Sequence, residues 1–232
     1  MPHSSRVLLV ALGVALTPTA FAKDGFYIGF NFGGGITSGD TNIPMKDKTL
    51  DPDQAFSNTA ELFRTDAGTG FSGELRIGYN ILGFVAIEAD LGGSFENLSD
   101  NDKFGTNFGV FGLVRFFPAQ LFEEVADRWW DPYVFVGGGA HAVVYKPDAR
   151  IDGGKMTNKA RAWWPSAAVK YGVGCDFYPI DFMSLGLDFA FTNGFHDEFV
   201  IDFEDDITAN AASDAGSLNV QISASLLFHF GL

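Results

Sequence analysis

The chain has 232 residues, 47% hydrophobic and 19% charged, with 15 Lys+Arg against 29 Asp+Glu for a net charge of −14. So acidic a chain offers no basic surface for phosphates, which excludes nucleic acid as a partner. One cysteine excludes a disulfide framework and a cysteine-based zinc site, and Cys175 reads as a small buried apolar residue.

Residues 1–22 read as a secretory signal peptide, leaving 23–232 as one domain. Arg6 supplies the positive start, Val7 to Leu16 the apolar run, and Ala20-Phe21-Ala22 the cleavage site. The apolar run is shorter than the about 20 residues a spanning helix needs.

Beyond Ala22 the pattern has period two, the signature of strands with one apolar face. Phe26, Ile28, Phe30 and Phe32 alternate with Tyr27, Gly29, Asn31 and Gly33. Leu75, Ile77 and Tyr79 alternate with Glu74, Arg76 and Gly78; Val85, Ile87, Ala89 and Leu91 with Ala86, Glu88 and Asp90. Two less clean strands follow near residues 108–117 and 133–145, with apolar residues on both faces. Arg115 is placed inward there, with Val110, Val114 and Phe116 outward; snorkelling of Arg115 from the outer face is the alternative. Val169, Tyr171, Val173 and Cys175 alternate with Lys170, Gly172, Gly174 and Asp176. Leu185, Leu187 and Phe189 alternate with Ser184, Gly186 and Asp188, and Val220, Ile222, Ala224 and Leu226 with Gln221, Ser223, Ser225 and Leu227.

These are eight strands. Long connections (35–70, 97–106, 146–162 and 195–217) alternate with tight turns at 80–83 and 178–181. The connection at 118–131 is longer, and Leu121, Phe122, Val125 and Ala126 predict a short amphipathic helix. Long loops at one end and short turns at the other predict an all-β, eight-stranded antiparallel up-and-down transmembrane barrel. Two aromatic bands agree with interfacial girdles. Phe26, Tyr27, Phe116, Trp129, Trp130, Phe177, Tyr178, Phe182, Phe228 and Phe230 form the turn-side band; Phe95, Phe108, Tyr145, Trp163, Trp164 and Phe191 form the loop-side band. The competing fold is a secreted lipocalin-like barrel, which would turn the apolar face inward and put Glu74, Glu88 and Asp188 in water.

The cleavable signal, the eight alternating strands and a final strand rich in aromatics (Phe228, Phe230) resemble the small outer-membrane barrel family. That family includes the OmpA transmembrane domain, OmpX and the opacity proteins. The resemblance implies an outer-membrane location in a Gram-negative-type envelope, a monomer, and no cofactor. It also implies contact with outer-membrane lipids, including lipopolysaccharide. The family's last strand ends in an aromatic residue read by the barrel-assembly machinery; here the last residue is Leu232. OmpW-like barrels, linked to small apolar solutes, are a related group that no motif selects.

By phase, Glu74, Arg76, Glu88, Asp90, Arg115, Lys170, Asp176, Asp188 and His229 face the lumen. Hairpin geometry sets Arg76 opposite or one step from Glu88, and Lys170 opposite or one step from Asp188. Buried charges must be paired or hydrated, so the set predicts either a salt-bridge plug or a narrow cation-preferring path. A lipid-modifying enzyme is the third reading. It would need a His–Ser or His–Asp contact at one rim, and His141, His196 and His229 sit in no familiar catalytic pattern.

No Lys or Arg follows Lys170, whereas ten acids do. Asp197, Glu198, Asp202, Glu204, Asp205 and Asp206 crowd the last outer loop, where dense carboxylates could hold a divalent cation or simply be solvated. The first outer loop, residues 36–69, is long and mixed in charge, and long loops on a rigid scaffold are where recognition usually lives.

Overall fold

The structure, a computed structural model, describes residues 25–39, 68–81, 83–98, 103–122, 129–145, 149–151, 155–157, 161–203 and 207–231. The signal peptide, Glu204, Asp205, Asp206 and most of the first outer loop lie outside them.

The alternating segments become β1 (Gly25–Gly39), β2 (Gly68–Ile81), β3 (Val85–Leu98), β4 (Lys103–Phe116), β5 (Trp130–Tyr145), β8 (Arg161–Ile180), β9 (Met183–Phe203) and β10 (Ile207–Phe230). Together they close an eight-stranded antiparallel barrel, with β10 returning to β1. Two short strands, β6 (Ala149–Ile151) and β7 (Lys155–Thr157), form a separate hairpin between β5 and β8. The β2–β3 turn places Gly83 at φ 74°, a left-handed conformation that favours glycine.

The register fixes the barrel's geometry. Hydrogen-bonded neighbours run from Tyr27 through Gly78, Glu88, Leu113, Gly137, Lys170, Thr192 and Asn219, and return to β1 at Thr37. The return is ten residues further along the strand, from 27 to 37. At about 3.3 Å rise per residue and about 4.8 Å between strands, a stagger of this size means a strand tilt of about 40°. The seam between β1 and β10 pairs from Phe26↔Phe230 to Gly39↔Ser217.

Large apolar side chains cover the outside: Phe30, Phe32, Ile87, Leu91, Val136, Leu187 and Ile222 are all exposed. On that face Asn193 donates to the Tyr171 hydroxyl at 3.3 Å, which satisfies a carboxamide that lipid cannot solvate. Tyr27 departs from the predicted girdle. It points into the lumen and is 3% exposed, because its own strand phase outweighs its position at the barrel end. Cys175 is half-buried rather than buried.

Inside, bulk is matched across strands. Tyr27 lies opposite Gly78, Glu74 opposite Gly92, Leu113 opposite Gly137, Phe111 opposite Gly139, Phe135 opposite Gly172, Tyr133 opposite Gly174 and Asp176 opposite Gly186. At each of these glycines a Cβ would collide with the large partner. The glycine content is therefore a packing requirement of a narrow barrel.

The connections differ from the sequence expectation in two respects. Among the described residues of 118–131, Pro118–Leu121 forms a 3-10 turn at the start of the predicted amphipathic helix, and Leu121 and Phe122 are exposed. Val125 and Ala126 lie outside the described residues. Several predicted loops are largely strand. The segment 195–217 is taken up by β9 and β10, which stay paired out to Phe203↔Ile207 with a bulge between Ala212 and Ala215. Asp197, Glu198 and Asp202 thus sit on β9 rather than in a loop.

Candidate functional site: the barrel lumen

The strand phases bring all nine predicted lumen residues to the inner wall. The stagger then decides which of them meet. Arg76 on β2 donates from Nη1 to Asp188 Oδ2 on β9 at 2.9 Å, across the lumen. Its Nε lies 3.7 Å from both Glu88 and Asp90, and its Nη2 lies 3.9 Å from Glu74. Its directly opposite neighbour is Asp90, and Glu88 lies one step along the same face, as the hairpin geometry led one to expect.

Arg115 faces inward and is 1% exposed, so it does not snorkel. It donates from Nη2 to Glu88 Oε1 at 3.1 Å, and its Nε lies 3.0 Å from Glu88 Oε2 in a buried ion pair. Asp176 lies 3.8 Å from its Nη1, and the Tyr133 ring lies 4.4 Å beneath its guanidinium. Tyr27 donates to Glu88 at 2.8 Å, and Tyr133 donates to Asp188.

The expected Lys170–Asp188 pair does not form. Lys170 donates to Glu74 and to Asp90, both at 2.8 Å. The reason is the tilt: Asp188 sits four residues nearer the turn end than Thr192, the β9 neighbour of Lys170. A long side chain at 170 therefore reaches across to β2 and β3 at its own height. His229 sits at the turn-end rim, 2.9 Å from Ser184 Oγ through Nε2.

Sequence reasoning missed Asp131, which is buried at the same rim and accepts from Gln120 at 2.6 Å. Its signal was a lone acid two residues before the inward Tyr133. It also missed the aromatic and aliphatic fill of the lumen by Phe111, Leu113, Phe135 and Phe117. The charged set then holds six carboxylates (Glu74, Glu88, Asp90, Asp131, Asp176, Asp188) against three cations.

Above Lys170 the lining changes character. Asn107 donates to Thr37 at 3.2 Å and to Ser94 at 3.3 Å, and Asn219 donates to Thr37 at 2.6 Å. His141, His196, Ser166 and Ser217 complete this neutral zone. His–Ser contacts occur in this zone and at the turn-end rim: His196–Ser217 at 2.7 Å and His229–Ser184 at 2.9 Å. No group of three or more His, Cys, Asp or Glu placed to hold a metal occurs among the described residues.

No family model and no curated protein matches the chain. Solved structures do match. Neisserial surface protein A aligns with 89% of this chain and 98% of its own, at 12% identity and a TM-score of 0.53. Outer membrane protein OprG from Pseudomonas aeruginosa aligns with 90% of this chain and 97% of its own, at 9% identity and a TM-score of 0.50. The fold is that of a small eight-stranded outer-membrane β-barrel. A closed barrel with an apolar outside and a polar, charged inside satisfies its backbone without water and meets lipid along its whole wall. That excludes the lipocalin-like arrangement, whose apolar face turns inward, and fits a wall surrounded by lipid.

Proposed function

We propose that this outer-membrane barrel is a non-catalytic protein of envelope integrity or surface interaction whose lumen is closed by the Arg76–Arg115–Lys170 network. One observation carries the reading: each cation meets carboxylates from at least two different strands, so the network spans the lumen rather than lining it. Partner-rich ion pairs of this kind leave no charge free to escort an ion. The competing reading is a narrow cation-preferring path, which the excess of carboxylates favours.

Planar-bilayer conductance of the refolded protein separates the two, with Lys170→Ala measured alongside. A silent wild type and a variant that opens and loses stability support the plug. Steady cation-preferring steps in the wild type, or a variant that conducts with unchanged stability, overturn it.

Surface interaction draws on the loop end. There β8, β9 and β10 continue beyond the pairing of β1, with Arg161↔Asp202 and Asp202↔Thr208 still in register. The result is a small acidic sheet projecting from the rim. The enzyme reading has its His–Ser contacts, but Ser184 is 0% exposed and Ser217 faces the lumen. Neither hydroxyl is set to meet a lipid ester. Contacts with lipopolysaccharide and the barrel-assembly machinery, a monomeric state, and a divalent cation at the acidic hairpin belong to the same proposal. Extraction with bound lipid, followed by native mass spectrometry, tests lipid, state and cation together.

A further inference from the structure

The loop-side half of the lumen holds a cluster that the charge network does not use. His141 on β5 and His196 on β9 are both buried, and their ring centres lie 6.3 Å apart although β8 separates their strands. Each imidazole is held by a serine from a neighbouring strand: Ser166 Oγ lies 3.4 Å from His141 Nδ1, and Ser217 Oγ lies 2.7 Å from His196 Nε2. Gly194 makes the gathering possible. A Cβ at that position would stand 2.6 Å from Ser217 Oγ and 3.1 Å from both His196 Nε2 and Ser166 Oγ. One imidazole nitrogen and two hydroxyls from β8, β9 and β10 are thus collected around one glycine, and Ser166 ties His141 on β5 to the same group.

This donor set has a definite preference. Imidazole suits zinc, copper and nickel, whereas calcium and magnesium take oxygen sets rich in carboxylate. Two imidazoles on one metal, each at about 2.0–2.1 Å, place their ring centres no more than about 6.5 Å apart. The 6.3 Å spacing already present matches an almost straight nitrogen–metal–nitrogen arrangement, the trans pair of a tetragonal Cu²⁺ or Ni²⁺ site.

We propose that His141 and His196 bind a first-row transition-metal dication in the loop-side lumen, with Ser166, Ser217 or water completing the coordination. The probe is Cu²⁺, added to the untagged refolded barrel in excess Mg²⁺ so that the acidic hairpin is occupied. Electron paramagnetic resonance should show one equivalent bound with coupling to imidazole nitrogen, displaced by Zn²⁺. His141→Ala and His196→Ala should each weaken binding by at least about tenfold. Gly194→Ala should weaken it with both histidines still present. Heat-dependent gel mobility establishes that each variant is folded. The absence of stoichiometric binding in the wild type overturns the proposal, as does nitrogen coupling that survives in the His141→Ala/His196→Ala double variant.

Discussion

The two halves of the lumen solve the same problem by opposite means. Toward the turns, charge is held by charge: Arg76 touches four carboxylates and Arg115 two. Toward the loops, neutral groups pair with neutral groups, as Asn107 does with Thr37 and Ser94. The difference teaches where the barrel is brittle. An ion stripped of its partner cannot be rescued by rotating a side chain, whereas a hydroxyl or carboxamide can find a neighbour or a water.

The largest effect should come from breaking the charged half. Arg115→Ala leaves buried Glu88 without its nearest cation and should cost about 3–5 kcal/mol in reversible urea unfolding from micelles or bilayers. Pairing it with an uncharged partner sharpens the point. Arg115→Met combined with Glu88→Gln should recover much of that loss, since charge is removed on both sides. A double-mutant cycle that returns simple additivity would show the pair is not coupled.

An intermediate effect is expected from packing alone. Gly174→Val drives a side chain into the Tyr133 ring and should cost about 1–3 kcal/mol in the same measurement. Tyr133→Leu added to it should return part of the loss. The smallest effect belongs to the neutral half. Asn107→Ala removes two hydrogen bonds and should cost about 1 kcal/mol, with gel mobility and conductance unchanged. A loss as large as that of Arg115→Ala would erase the contrast between the halves.

The architecture was legible where lipid imposes alternation. Phe30, Phe32, Ile87 and Leu91 read outward, and Glu88 and Asp90 inward, because hydrocarbon tolerates no other phase. Near Tyr133 and Phe135 the signal faded, because the lumen is filled there by aromatic and aliphatic side chains and both faces look apolar. It faded again from Asp197 onward, where the polar and acidic residues Asp197, Glu198, Asp202 and Thr208 break the alternation although the backbone stays paired. Charge partners were the least legible. Lys170 meets residues on β2 and β3, far away in sequence, and only the ten-residue stagger of the closed barrel brings them level. Hairpin logic, which looks no further than the next strand, had assigned it Asp188.

The seam between β1 and β10 has a consequence for how the molecule forms. It joins the first and last strands of the barrel, the pairing of longest sequence separation, and contacts of such separation are slow to form. Until it closes, the cations on β2, β4 and β8 and the acids facing them would line an open trough. In a bilayer that trough would expose ions and unpaired strand edges to hydrocarbon, at a cost the chain cannot meet. Insertion and closure must therefore proceed together, the polar interior being assembled in the same step that hides it. A folding intermediate with the outer strands inserted and the seam open should not accumulate in lipid, and kinetics followed from the two edges of the seam should coincide.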